Sequence, residues 1–253
     1  MIYRGIFIKG LLSLIKSKTD FGDVGDGVLM LGFALLVIAA AYLIGSLNFA
    51  VIISKLKYGQ DIRDYGSGNG GSTNMLRTYG KKMGAVTLLC DMLKAAVACT
   101  VGCLFLGLTV GGYLAAFFCM LGHMFPVYYK FKGGKGVAVS AAAMLMLNPT
   151  VFAVIFVCFV IIVGGTKYVS LGSVMCALLY PVILNTVNNE ILYPYLIALG
   201  VTRFGPDVLF AVLMAIFVVV MHRENIKRLI AGNESKVSFG KKSAQEDKKN
   251  DKR

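Results

Sequence analysis

Charge is scarce in this 253-residue chain. Asp, Glu, Lys and Arg together make up 15% of it, against roughly 25% in a soluble domain. Hydrophobic residues make up 57% and the mean hydropathy is +0.72. The shortage excludes an ordinary soluble domain, and the apolar excess excludes intrinsic disorder. Acids are scarcer than bases, 13 against 26, leaving a net charge of +13. The bases gather between apolar runs, so they read first as membrane topology and second as attraction for an anionic partner at the membrane surface; nucleic acid is not expected. The six cysteines (Cys90, Cys99, Cys103, Cys119, Cys158, Cys176) lie inside apolar runs without metal-ligand or disulfide-scaffold spacing, and read as small hydrophobes. The first apolar stretch, residues 2–15, is broken by Arg4 and Lys9 and lacks a small-residue cleavage site, so no cleavable signal is expected. There is no internal repeat. No metal and no cofactor are expected.

What the chain has is long apolar runs. A helix needs about 20 residues to cross the roughly 30 Å hydrocarbon core. Val28–Ser54, Met83–Leu108, Gly111–Tyr129, Tyr168–Val187 and Pro206–His222 meet that demand. The stretch Gly136–Val163 reads as two short helices split at Asn148-Pro149, because only then do the basic loops share one side. That gives an all-α membrane bundle of seven transmembrane helices, N-terminus out and C-terminus in. Twenty basic residues fall on the cytoplasmic side and only Arg203 in an outer loop. The helix at 136–147 then reaches only about 18 Å and must be partly covered by protein. Residues 1–27 form an amphipathic N-terminal extension, 28–235 the membrane domain, and 236–253 a basic, disordered tail.

Three polar islands interrupt the apolar rhythm, all on the inner face. Tyr65–Gly80 carries Ser67, Gly68, Asn69, Gly71, Thr73 and Asn74 ahead of Arg77. Glycines let backbone N–H groups converge on an anion, hydroxyls and amides add neutral donors, and guanidinium adds a forked donor suited to phosphate. Leu121–Ser140 carries His123, then Gly133, Gly134, Lys135 and Gly136. It is no P-loop, since Gly follows the Lys, yet a lysine among glycines just before a helix is a credible phosphate site. Lys130 and Lys132 read as topology charges. Met221–Ser235 places His222 and Asn225 three residues apart, on one helix face. Arg223, Lys227 and Arg228 read as a solvated or headgroup-facing side of that helix. Within the membrane, Asp91 and Lys94 stand at i and i+3, where ionisable groups pair or serve function. Ser170 and Ser173 open the sixth span.

The segments SGNGGSTN with Arg77, GHMFP with FKGGKGVA, and HRENIKRLIAGNE, supported by GSLNF (45–49) and KYVSLGS (167–173), resemble the cytoplasmic motifs of bacterial acyl-phosphate:glycerol-3-phosphate acyltransferases. The resemblance spans about residues 41–234 and departs at Ser72, Gly70 and Val139. It implies a seven-span enzyme of the cell membrane, active on the cytoplasmic face. Such an enzyme makes lysophosphatidic acid and phosphate from acyl phosphate and glycerol 3-phosphate, in the first acylation of phospholipid synthesis. It implies membrane lipids and an upstream acyl-phosphate synthase as neighbours. It further implies Ser67, Arg77, Lys135, His222 and Asn225 as catalytic, with Gly68, Asn69, Gly71, Thr73, Asn74, Gly133, Gly134, Gly136, Ser170, Ser173 and His123 binding substrate or phosphate. The His-x4-Asp signature of soluble acyltransferases is missing: the residue five after His123 is Tyr128, and the residue five after His222 is Lys227. An organophosphate or anion transporter is the alternative, disfavoured by the missing repeat and by polar islands confined to one face.

Overall fold

The computed structural model describes residues 10–19, 22–188 and 206–237. The expectations that fall on 1–9, 20–21, 189–205 and 238–253, including most of the basic tail, lie outside the described residues. Among the described residues the regular structure is all helical. A short helical stretch at 10–16 precedes α1 (Gly22–Gly45), α2 (Phe49–Tyr58), α3 (Ser72–Tyr79), α4 (Lys81–Leu106), α5 (Tyr113–Met124), α6 (Val137–Leu147), α7 (Pro149–Thr166), α8 (Val169–Val187), α9 (Asp207–Met221) and α10 (Arg223–Ile230).

Among the described residues, four helical stretches are long and apolar enough to cross a membrane: 22–58, 81–129, α7 and α8. The pair α9–α10, bent by 58°, makes a fifth. The 81–129 stretch is not one rod. Lys94 Nζ lies 3.0 Å from His123 Nδ1, whereas 29 residues of continuous helix would separate them by about 44 Å. The chain reverses at the π-helical turn Gly107–Gly112. There Gly102 and Gly111 face one another, and a Cβ on either would stand 2.0–2.1 Å from the other's carbonyl oxygen. Such small-residue contacts let membrane helices approach to backbone distance. α1 meets α5 in the same way, with Gly122 against the Tyr42 carbonyl and Gly45 against that of Cys119.

The first expected span, Val28–Ser54, is interrupted. α1 ends at Gly45, and Asn48 starts α2 by accepting the Val51 N–H on its side chain. A side chain that caps a new helix competes with continuation of the old one. The expected split at Asn148-Pro149 is present: Asn148 caps α7 through the Val151 N–H, with Pro149 in the first turn. The 11-residue α6 buries Val139, Ser140, Ala142, Ala143 and Met144, so protein rather than lipid covers much of it.

The main core runs through α1 and α4 to α9. A smaller core of Ala50, Val51, Ile62, Met75 and Met83 anchors the first polar island on α2 and α4. All six cysteines are free, and Cys99, Cys103, Cys119 and Cys176 are buried among apolar side chains.

Candidate active site

The first island is a folded loop. Asn74 is fully buried, and its amide donates to the carbonyls of Ile62, Tyr65 and Asn69 at 2.9–3.1 Å, while its Oδ1 accepts the Ser67 N–H at 2.9 Å. Expected to touch phosphate, Asn74 instead spends its donors on the loop, holding Gly66 and Gly68 at positive φ. Ser67, Gly68, Asn69, Gly71 and Thr73 are left at the rim, and α3 begins at Gly71 with no side-chain cap. The start of α3 thus offers the positive end of its dipole uncapped by any side chain, which suits an anion.

The second island is latched to the first. The Gly70 N–H donates to the Gly133 carbonyl at 3.3 Å. Arg63 Nη1 donates to the carbonyls of Tyr129 and Lys132, each at 2.9 Å, while its other nitrogens grip Asp61 at 2.7 and 2.9 Å. The Arg63 guanidinium holds the Asp61 carboxyl down at about 2. In sequence both belong to DIRDYGSGN (61–69), a further segment of the family resemblance, where neither is given a role.

His123 does not join the loops' polar rim. It is buried below them with Lys94, which also approaches Asp91 at 2.9 Å and donates to the Leu47 carbonyl at 2.6 Å. The Asp91–Lys94 contact is a close ion pair rather than an aligned hydrogen bond, since Asp91 Oδ1 has no hydrogen-bond partner. Gly134 packs against Nε2 of the His123 ring: a Cβ there would stand 2.1 Å from that nitrogen. Gly133 and Gly134 also fold back through N–H bonds to the carbonyls of Met124 and His123. The glycines thus set the path by which Lys135 reaches the start of α6.

Lys135 donates to Asn225 Oδ1, joining the second island to the third. Asn225 Nδ2 donates to Glu234 Oε1 at 2.7 Å, Ser170 Oγ to the same oxygen at 2.9 Å, and Arg228 Nε to Oε2 at 2.8 Å. Arg77 reaches over from the first island to the Ser235 carbonyl at 3.3 Å. Burial, reinforced by Arg228 and Arg77 and opposed by Glu234, brings the Lys135 pKa down to about 8. Burial also pushes the Glu234 carboxyl up, but its bonds from Asn225, Arg228 and Ser170 outweigh that and hold it low. His222, at the bend between α9 and α10, is 3% exposed, with Nδ1 2.7 Å from the Val218 carbonyl. Only a protonated Nδ1 can donate to a carbonyl, so Nε2 is left as an acceptor. Ser173 is buried, but its hydroxyl donates to Val169 of its own helix at 2.8 Å.

Glu234 and Arg228 are the members that sequence reading missed. Arg228 reads in sequence as a headgroup-facing charge, and Glu234 has no role there beyond its motif. The available signal is an acid left among bases directly after a membrane helix.

The chain matches a family model described as glycerol-3-phosphate acyltransferase over residues 35–232. Glycerol-3-phosphate acyltransferase 2 of a Bacillus cereus strain is 38% identical over 207 residues, 82% of this chain and 96% of that protein. Glycerol-3-phosphate acyltransferase of Finegoldia magna is 39% identical over 196 residues, 78% and 92% of the two chains. The crystal structure of PlsY (YgiH), an integral membrane glycerol 3-phosphate acyltransferase, in its glycerol 3-phosphate form, superposes with a TM-score of 0.69 at 32% identity, covering 81% of this chain and 96% of that one. Its lysophosphatidic acid form gives 0.66 at 30% identity, covering 81% and 95%.

Proposed function

The chain belongs to the glycerol-3-phosphate acyltransferase family, as a multi-pass membrane enzyme, and on that premise we propose that its donor is acyl phosphate and its acceptor the sn-1 hydroxyl of glycerol 3-phosphate. The products are lysophosphatidic acid and inorganic phosphate. The observation that carries this reading is the convergence of four separate segments: Ser170 and Asn225 bond the Glu234 carboxylate, Lys135 bonds Asn225, Arg77 bonds the adjoining Ser235 carbonyl, and His222 lies three residues before Asn225. Both substrates are phosphate monoesters or anhydrides, so the site must hold two anions close together.

In the reaction, the glycerol oxygen attacks the acyl carbonyl carbon. A new C–O ester bond forms and the bond from that carbon to the phosphate oxygen breaks. The hydroxyl proton passes to the departing phosphate or to His222 Nε2. The mixed anhydride carries a good leaving group, so a strong base is unnecessary. Arg77 and Lys135 balance the phosphate charge, aided by the rim of Ser67, Gly68, Asn69, Gly71 and Thr73. Ser170, His222 and Asn225 line the glycerol phosphate side. Asn74, Gly133, Gly134, Gly136 and His123 shape the two loops. An apolar groove of about 300 Å³ between α8 and α9, lined by Leu178, Pro181, Val212, Ile216 and Val219, ends within one helical turn of His222 and suits an acyl chain.

We take the enzyme to have seven spans in the cytoplasmic membrane, N-terminus out, with 1–27 as an interfacial extension and 28–235 as the catalytic unit. An upstream acyl-phosphate synthase is a fitting neighbour. The decisive experiment offers the purified protein glycerol 3-phosphate with acyl phosphate, acyl-CoA or an acyl-carrier-protein thioester. Lysophosphatidic acid and phosphate should appear in equal amounts from acyl phosphate alone. Turnover with a thioester and none with acyl phosphate would overturn the donor assignment.

A further inference from the structure

A second basic site lies at the seam of the first two islands, apart from the cluster around Glu234 but sharing Gly68 with the phosphate rim. A cavity of about 340 Å³ is lined by Arg63, Asp64, Gly68, Tyr129, Lys130, Lys132 and Gly133. Arg63 is its floor, committed to Asp61 and to the carbonyls of Tyr129 and Lys132. The chain must wrap around that guanidinium. It does so with two consecutive non-glycine residues in the left-handed region, Lys130 at φ 56° and Phe131 at φ 58°. Side chains other than glycine resist that conformation, and such strain collects at functional sites. The wrap turns Lys130 and Lys132 outward beside the cavity. Neither has an ion-pair partner among the described residues, and Asp64 pairs with neither.

The surroundings are apolar and exposed. Phe131 is 59% exposed and Tyr128 53%, with Phe125 and Val127 beside them. Aromatic side chains left uncovered next to lysines suit the headgroup layer of a bilayer, where rings sit at the interface and ammonium groups meet lipid phosphate.

We propose that this cavity binds the headgroup of an anionic phospholipid of the surrounding bilayer, with Lys130 and Lys132 on its phosphodiester and Phe131 and Tyr128 against its glycerol and acyl region. The charges match. Two ammonium groups without ion-pair partners, set against one carboxylate, leave a single positive charge. A phosphodiester monoanion balances that charge and a phosphomonoester dianion exceeds it. Asp64 then accepts from a hydroxyl of the headgroup, which selects phosphatidylglycerol-type lipids over phosphatidylcholine. The site would hold the enzyme's loops against anionic membrane, independently of which donor the catalytic cluster uses.

The chain contains no tryptophan, so Phe131→Trp creates a single reporter, and Tyr128→Trp serves if that variant inserts poorly. The full-length protein is placed in phosphatidylcholine nanodiscs containing a small, equal fraction of acyl-chain-dansylated phosphatidylglycerol or phosphatidylcholine. Energy transfer from the tryptophan to the anionic probe should exceed transfer to the neutral probe several-fold. The excess should fall by roughly fivefold per lysine removed in Lys130→Ala and Lys132→Ala, the weight of one basic residue near an anionic surface. Millimolar inorganic phosphate or glycerol 3-phosphate should leave it unchanged. Equal transfer to both probes, or a preference that survives the double variant, would overturn the proposal. Loss of the preference on adding either soluble phosphate would also overturn it, by assigning the cavity to a water-borne ligand.

Discussion

Two polar clusters in this protein, linked by Gly134 and Lys135, are built on opposite terms. In the first, Asp91, Lys94 and His123 are each less than 5% exposed. The Lys94 ammonium is committed on every side, to the Asp91 carboxylate, the His123 ring and the Leu47 carbonyl. In the second, Lys135 spends one N–H on Asn225 and exposed Arg77 one on Ser235, and both keep donors in reserve. Burial of charge alone therefore does not mark a site. The first cluster closes on itself and props the glycine loop, while the second has capacity left for a phosphate.

The largest effect that distinguishes them is on folding. Lys94→Met leaves Asp91 buried without its cation and should cost about 3–5 kcal/mol, with Asp91→Leu in the same chain restoring much of it. Thermal unfolding in detergent, followed by a thiol-reactive dye that reports exposure of the free cysteines, measures this. If Lys94→Met melts like the parent yet loses turnover, the first cluster is catalytic and the contrast collapses.

Next comes Arg77→Lys, which keeps charge but loses the planar fork. It should lower kcat/KM by roughly tenfold to a hundredfold, about 1.5–3 kcal/mol for a hydrogen bond to a charged group, with no change in melting. Steady-state kinetics with both substrates varied decides it; parent-like kinetics would remove Arg77 from the phosphate site.

A smaller effect follows from Lys135, whose pKa lies at about 8. Its positive charge is present below that pH and lost above it. Hence kcat/KM for glycerol 3-phosphate should decline as pH rises through about 8, since this parameter reports the free enzyme. Lys135→Arg should move the decline to higher pH. A profile flat to about pH 10, the ordinary range of a lysine, would detach Lys135 from substrate charge.

The smallest effect expected is none. Replacing all six cysteines with Ala or Ser should preserve turnover in a folded variant, because the scheme has no acyl-cysteine. Activity lost while melting is retained would point to a covalent intermediate instead.

Much of this organisation is legible in the chain without its fold. Runs of apolar residues define membrane helices, because each helix must satisfy the bilayer along its own length. The break at Asn148-Pro149 follows from the side on which the basic loops must fall, and the Asn148 cap seen in the structure agrees with it. The three islands stand out because glycine, amide and guanidinium have no reason to lie together in a mere connector. Helix ends are less legible, as at Gly45, where Asn48 starts a new helix inside an apolar run. What only the tertiary structure decided is where each polar group spends its hydrogen bonds. Asn74, expected on phosphate, turns inward to four backbone partners. His123 pairs with Lys94, 29 residues away, and Ser170 meets Glu234, 64 residues away. Hydropathy and spacing act between neighbours in sequence. A donor's partner is instead chosen by packing, which brings distant segments together and leaves some donors free for a ligand.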